Sequence, residues 1–174
     1  MKKTIALIAC SIVVSCAAFA QKGNNQLGIG AEMAMPFGQF DNDFSTGYGG
    51  YLKGLFGVGK TSQVTITAGC SRHKAKGILS WYHASSYIVP FLAGYRMYAK
   101  GFFVEPQVGY GIYYAKIKDI DVSDTDGAFT YAIGTGYTYK GLEAGIKYRG
   151  GKSGSDDVAV FAIHLGYNFS FGRR

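Results

Sequence analysis

The sequence predicts an all-β fold: an eight-stranded, antiparallel, up-and-down transmembrane β-barrel, preceded by a cleaved signal peptide. Three observations predict it. Apolar residues recur with period two in eight segments of about ten residues, the strand signature. Beyond the first twenty residues, no stretch approaches the roughly 18 consecutive apolar residues of a membrane-crossing helix. The composition sets 26 glycines beside 14 Tyr and 12 Phe. A helical bundle does not tolerate so much glycine, because each interior glycine costs about 1 kcal/mol relative to Ala. The glycines have no strict period of three, which excludes collagen. The aromatic content excludes a disordered chain.

Residues 1–20 read as the signal peptide. Lys2 and Lys3 form its charged region, Ile5 to Val14 its apolar region, and Ala18-Phe19-Ala20 a cleavage site before Gln21. A second reading takes Val13-Val14-Ser15-Cys16 as a lipobox that leaves Cys16 lipidated. Cleavage after Ala20 removes Cys10 and Cys16 and leaves Cys70 alone, so no internal disulfide is expected. It also removes two of the 18 basic residues and none of the 11 acids, which lowers the net charge from +7 to +5. Residues 22–174 then form one barrel domain.

The eight predicted strands are 26–35, 47–56, 62–72, 86–98, 102–115, 128–139, 142–150 and 158–171. In the third, Val64, Ile66, Ala68 and Cys70 oppose Thr65, Thr67, Gly69 and Ser71. In the fifth, Phe102, Val104, Pro106, Val108 and Tyr110 oppose Glu105, Gln107 and Gly109. In the seventh, Leu142, Ala144, Ile146 and Tyr148 oppose Glu143, Gly145, Lys147 and Arg149. In the last, Phe161, Ile163, Leu165, Tyr167 and Phe169 oppose Ala162, His164, Gly166 and Asn168. Three connections are tight: 57–60, Lys100-Gly101 and Lys140-Gly141. Four are longer and polar: 36–46, 73–85, 116–127 and 151–157. The two kinds alternate, which puts all long loops at one end of a meander. Two-residue turns at Lys100-Gly101 and Lys140-Gly141 predict that Ala99 faces Phe102 and that Thr138 faces Glu143. That register keeps polar residues with polar residues, where a slip of one would mix the faces.

The larger face carries rows of Tyr and Phe that an eight-stranded interior has no room to hold. The smaller face is mostly Gly, Ala, Ser and Thr, with Glu32, Lys53, Arg96, Glu105, Glu143, Lys147, Arg149 and His164 among them. The larger face therefore points to lipid and the charges point inward. Ten residues at about 3.3 Å each, tilted by about 40°, span roughly 25 Å, the height of an outer-membrane apolar band. Tyr87, Tyr114, Phe129, Tyr131 and Tyr148 form a girdle toward the long loops. Tyr95, Phe102, Tyr137, Tyr139, Tyr167, Phe169 and Phe171 form one toward the tight turns.

With its signal, strand count, alternating connections, the stretch Ile88-Val89-Pro90-Phe91-Leu92-Ala93-Gly94-Tyr95-Arg96 and its aromatic final strand, the chain resembles the OmpA-like and OmpX-like small outer-membrane barrels. The resemblance covers residues 22–174. It implies the bacterial outer membrane as location, with outer-membrane lipids, lipopolysaccharide and the barrel-insertion machinery as partners. Such barrels usually end on an aromatic residue; here Gly172-Arg173-Arg174 follows Phe171 and displaces that terminus by three.

The inward charges, three acidic and four basic, predict a paired network, because an unpaired buried charge is costly. Arg96 with Glu105 is the first expected pair, with Glu143 and Lys53 near the same level and Glu32 meeting Lys147 or Arg149 higher up. His164 reads as an interior hydrogen-bonding residue. Arg72, His73, Lys74 and Lys76, followed by Trp81 and Tyr82, place basic groups at the outer rim, where lipopolysaccharide phosphates accept charge-assisted hydrogen bonds. Lys60, Lys100 and Lys140 mark the three tight turns and are expected at inner-leaflet headgroups. Asp119, Asp121, Asp124 and Asp126 precede Gly127 but fail the calcium-loop pattern, with Val122 first and Ile133 twelfth. The Gly-x-Gly pairs lack a third glycine and a helix, so no phosphate loop, cofactor or metal site is expected, and the lipid-facing alternation argues against nucleic-acid binding.

The leading functional expectation is a non-enzymatic integral outer-membrane protein serving envelope integrity or surface interaction through four extracellular loops. Two alternatives stand beside it. One is a lipid-modifying enzyme using His73 or His83 with Ser85 or Ser86 and an Asp of the third loop. The other is a narrow ion channel.

Overall fold

The computed structural model describes residues 24–38, 45–75, 85–117, 122–153 and 156–171. The signal segment, Cys16, Lys76, His83, Asp119, Asp121 and the last three residues lie outside them. The strands are β1 (Asn25–Phe37), β2 (Gly47–Gly57), β3 (Ser62–Lys74), β4 (Ser85–Ala99), β5 (Phe102–Ile117), β6 (Val122–Tyr139), β7 (Leu142–Ser153) and β8 (Asp156–Phe171). Each pairs antiparallel with its sequence neighbour, and β8 returns to β1 along an unbroken ladder from Asn25–Phe171 to Phe37–Ala159. The sheet is a closed barrel, which leaves no strand edge unpaired.

The two-residue turns set the register read from the sequence. Ala99 faces Phe102, Thr138 faces Glu143, and Gly136 faces Gly145. Lys100 and Gly101 have φ of 51° and 91°, and Lys140 and Gly141 have 49° and 90°. Positive φ at both central residues is the type I′ signature, whose twist matches the flanking strands. Its first position favours Asn or Gly, because a left-handed L-residue costs roughly 1–2 kcal/mol. Both turns of this chain place Lys there.

The faces separate along every strand. Outward Leu27, Ile29, Leu52, Ile66, Phe91, Val108, Tyr110, Ile133 and Leu165 are exposed, while inward Glu32, Lys53, Thr65, Gln107, Glu143 and Asn168 are buried. A chain with its polar groups inside and its large apolar residues outside is built for a hydrocarbon solvent.

Two features differ from the sequence reading. First, the strands run further on the long-loop side. The β5–β6 ladder continues to Ile117–Val122, and the β7–β8 ladder to Ser153–Asp156. The third and fourth connections therefore shrink to residues 118–121 and 154–155, and only 38–46 and 75–84 remain long. The expected set of four long loops is corrected to two long and two short. These hairpin ends carry no run of alternating apolar residues, so the period-two signal does not mark them. Second, the interior holds more apolar bulk than expected. Tyr51, Leu55, Ile88, Leu92, Phe103 and Tyr113 all point inward and are buried. Ala34, Ile88, Tyr113, Val158, Val160 and Ala162 pack as one apolar layer toward the long-connection end.

Glycine makes room for this bulk. A Cβ on Gly30 or Gly166, which face each other across β1 and β8, would fall 2.5 Å from the Tyr51 ring atoms or hydroxyl. The same device works outside the barrel: a Cβ on Gly127 would strike Tyr110, and one on Gly150 would lie 2.5 Å from Tyr131 Cζ. Rings laid over glycine cover backbone that small residues leave bare. Gly150→Ala is expected to destabilise the barrel by about 1 kcal/mol, and by at least 0.5 kcal/mol less in a Tyr131→Ala background, because the two sites share one contact. Urea titration in lipid vesicles, read by heat-modifiable gel mobility, checks this; equal costs in both backgrounds would contradict it.

Candidate functional site

The inward positions of β1, β2, β4, β5 and β7 bring seven charges into two networks at different depths. The first lies toward the tight turns. Arg96 is fully buried, and its guanidinium serves two carboxylates. Nε donates to Glu105 Oε2 at 2.9 Å and Nη2 to Glu143 Oε1 at 3.0 Å, with further bonds from Nη2 to Glu105 Oε2 and from Nη1 to Glu143 Oε2. The planar fork of Arg suits this double grip, which a Lys point charge does not reproduce. Lys53 bridges the same two acids, 3.1 Å from Glu105 and 3.4 Å from Glu143.

Neutral donors saturate the remaining lone pairs. Thr65 and Gln107 donate to Glu105 Oε1 at 2.6 and 2.9 Å, and Asn168 donates to Glu143 Oε2 at 2.8 Å. His164 Nε2 lies 3.3 Å from Glu143 Oε1 without the angle of a hydrogen bond. Phe103 places its ring 3.9 Å from the Arg96 guanidinium carbon. Toward the turns, Arg96 Nη1 donates to the Tyr98 hydroxyl at 3.2 Å, which donates in turn to Gln63 Oε1 at 2.8 Å.

The second network is smaller. Lys147 Nζ and Arg149 Nη1 donate to the two oxygens of Glu32 at 2.9 and 3.2 Å, and Arg149 Nη2 reaches Ser71 Oγ at 3.3 Å. Two cations share one acid here, against two and two in the first network. Tyr51 stands between the networks, with Lys53 Nζ 5.3 Å and Lys147 Nζ 5.6 Å from its ring centroid. Beyond the Glu32 network the interior turns apolar, at Ala34, Ile88, Tyr113, Val158 and Val160.

Each interior charge named from the sequence sits inside the barrel; His164 is inside too, but neither of its ring nitrogens makes the hydrogen bond expected of it. Tyr51, Thr65, Gln107 and Asn168 complete the networks and were not named as site residues. Their inward parity was visible; their part in saturating Glu105 and Glu143 depends on side chains from strands far apart in sequence.

The rim residues divide by parity. Arg72 and Lys74 are exposed on the outer face of β3, and Lys76 lies outside the described residues. Arg72 is opposite Tyr48 on β2 and Tyr87 on β4, with its guanidinium carbon 5.6 Å from the Tyr87 ring centroid. His73 points inward and is buried, with Nδ1 3.2 Å from the Ser45 carbonyl oxygen. Ser86 faces His73 across the ladder and is also buried. Asp124 and Asp126 lie on β6 opposite Ala115 and Tyr113, so this half of the acidic segment is paired strand.

A closed barrel with a charged interior and an apolar exterior defines an integral membrane barrel of the bacterial outer membrane. The chain belongs to the outer membrane protein beta-barrel domain family, whose model matches residues 6–169. Its fold is similar to that of Ail, the attachment invasion locus protein of Yersinia pestis, solved in complex with the heparin analogue sucrose octasulfate. That likeness has a TM-score of 0.66 and 18% identity, over 86% of this chain and 99% of that one. It is also similar to Neisserial surface protein A (TM-score 0.58, 14% identity, 84% and 97% of the two chains). The N-terminal β-barrel domain of Pseudomonas aeruginosa OprF gives a TM-score of 0.53 and 16% identity, over 85% and 100%. No curated protein sequence matches the chain.

Removal of Arg96 leaves Glu105 and Glu143 short of a buried cation. Arg96→Ala is expected to cost about 3–5 kcal/mol, the usual penalty for orphaning a buried charge. Arg96→Lys is expected to recover only part of it, because one ammonium does not span both carboxylates. Equilibrium unfolding in vesicles measures both, and full recovery by Lys would overturn the bidentate account.

Proposed function

We propose that the protein is a non-enzymatic surface protein of the outer membrane that supports envelope integrity by binding lipopolysaccharide at its outer rim. The observation that carries this reading is the outward pair Arg72 and Lys74 at the extracellular end of β3, flanked by Tyr48 and Tyr87. Outward side chains of a membrane barrel meet lipid. Two cations on that face, at the end bearing the long connections, are favourable only at the headgroup level. There the ligands are phosphates, and Arg offers them a planar fork. Tyr48, 69% exposed, adds an aromatic ring suited to the same interface. The connections 38–46, which precedes β2, and 75–84, which follows β3, carry the surface interaction in this reading.

The non-enzymatic part is supported by His73 and Ser86, which point into the barrel and are buried away from the lipid they would have to reach. The alternative of an ion path is disfavoured by the two ion-paired networks and by the apolar layer that follows them along the barrel. Biogenesis in this reading uses the barrel-insertion machinery, with the exposed Phe171 at the end of β8 as the aromatic terminus.

The test is lipopolysaccharide binding to the purified protein in nanodiscs. Arg72→Gln and Lys74→Gln are each expected to weaken it about fivefold, the worth of roughly 1 kcal/mol per basic residue at a charged lipid surface. Binding that is unchanged in the double variant would overturn the rim assignment. In planar bilayers the wild-type protein is expected to show no conductance between about pH 5 and 8, the range over which His titrates. Steady single-channel currents would replace this reading with the channel.

A further inference from the structure

The two interior networks differ in charge and in hydrogen-bond donors. The Arg96 network sets two cations against two carboxylates, and neutral donors take up remaining lone pairs. The Glu32 network sets two cations against one carboxylate. Among the described residues, Lys147 and Arg149 form ion pairs with Glu32 alone, at 2.9 and 3.2 Å. Glu32, Lys147 and Arg149 are 4%, 8% and 3% exposed, so the surplus positive charge is out of water. A buried charge without a counter-charge is costly.

The hydrogen bonds show the same surplus. Arg149 Nη1 donates to Glu32 and Nη2 to the Ser71 hydroxyl at 3.3 Å. Arg149 Nε is buried and has no hydrogen-bond partner among the described residues. Lys147 Nζ carries three donors and makes one hydrogen bond among those residues, to Glu32. Ser71 Oγ accepts from Arg149, which leaves its own hydrogen to be donated. Donors outnumber acceptors at this level of the barrel, and an orphaned buried donor marks the place of a water or an ion.

We propose that the Glu32 network holds one small monovalent anion, of the size and charge of chloride, against Arg149 Nε, with Ser71 Oγ and Lys147 Nζ as further donors. Charge selects an anion over water. A water satisfies Nε but leaves the extra cation uncompensated, whereas one negative charge cancels it. A divalent anion would reverse the imbalance. Room is present beside the network. Gly134 faces Lys147 across β6 and β7, and a Cβ there would meet nothing closer than 3.7 Å. Gly69 lies two residues before Ser71 on the same face, opposite Tyr51, and a Cβ there would meet nothing closer than 3.4 Å. On Gly30, Gly111 and Gly145, also inward, a Cβ would fall 2.5 Å from a neighbouring atom. Each open position accepts a methyl-sized group, which suits chloride and not a phosphate or sulfate. Tyr51 and the Arg96 network close this level toward the tight turns, and Ala34, Ile88, Tyr113, Val158 and Val160 close it toward the long connections. The anion is enclosed as the barrel closes, and it is held rather than conducted.

The experiment measures the folding equilibrium of the full protein in phosphatidylcholine vesicles, with sodium chloride exchanged for sodium gluconate at constant ionic strength. Gluconate is monovalent but too large for the space. Once chloride exceeds its dissociation constant, each tenfold increase is expected to raise the folded-to-unfolded ratio by up to roughly tenfold, the limit for one bound ion. Lys147→Met leaves Glu32 and Arg149 one to one and is expected to abolish that dependence. Glu32→Gln leaves two unopposed cations and is expected to strengthen it, with the effect setting in at lower chloride. A purely structural role for the network would not give the two variants opposite signs. Lys74→Gln, at the outer rim, is expected to keep the wild-type dependence. Heat-modifiable mobility confirms that each variant is folded. Crystals of the wild type grown in sodium bromide give a readout that needs no variant, with anomalous signal expected beside Arg149 Nε. A folding equilibrium indifferent to chloride would overturn the proposal and leave water at Nε. So would an unchanged chloride dependence in Lys147→Met, or bromide at surface positions alone, an adventitious ion only.

Discussion

Inside hydrocarbon, every backbone N–H and C=O has to find its partner within the protein, and each failure costs several kcal/mol. The seam between β1 and β8 is where this chain meets that demand. It runs unbroken for the whole of β1, from Asn25–Phe171 to Phe37–Ala159. Without it, β1 and β8 would each present a bare edge to lipid. The ring it closes gives every strand one face to lipid and one to a narrow interior. The distribution of side chains follows from that geometry. The seam also shapes the interior, because Gly30 and Gly166 meet across it and leave the space into which Tyr51 projects from β2.

A narrow interior in a membrane has little water, so a charge there has to be satisfied by the protein. Glu105 and Glu143 solve this together through Arg96, with Lys53 as second cation and Thr65, Gln107 and Asn168 on the remaining lone pairs. The network draws on β2, β3, β4, β5, β7 and β8. It therefore forms only when the barrel is closed in this register. A buried ion network is weak evidence for net stability, since desolvation offsets much of the attraction. Its consequence is discrimination: a strand slipped by one residue would turn these charges into lipid.

The outer surface is adapted to a bilayer whose two sides differ. Toward the tight turns it has paired aromatics, such as Phe102 with Tyr137 at 4.9 Å and Tyr167 with Phe169 at 4.7 Å, below a ring of exposed lysines. Toward the long connections it has Tyr87 with Tyr114 and the outward cations of β3. The glycine and aromatic content serves both faces by one device, a large ring lying over a residue with no side chain.

Much of this was legible in the sequence. Period-two alternation placed all eight strands, and two Lys-Gly turns set the register across two hairpins. The net balance of inward charges pointed to pairing, and parity was enough to put Arg96 beside Glu105. Where the sequence misled, the reason is physical. The upper parts of β6 and β7 carry no run of alternating apolar residues, and period two is legible only where one face is apolar. The interior bulk of Tyr51, Phe103 and Tyr113 was hidden because the room for it comes from glycines on other strands. What the sequence by itself determined is which residues face lipid and which face in, because that depends only on the two-residue repeat of a strand. The tertiary structure alone decided which charges meet and where Tyr51 divides them. Those depend on neighbours brought together around a closed ring, and strand periodicity carries no information about distance across it.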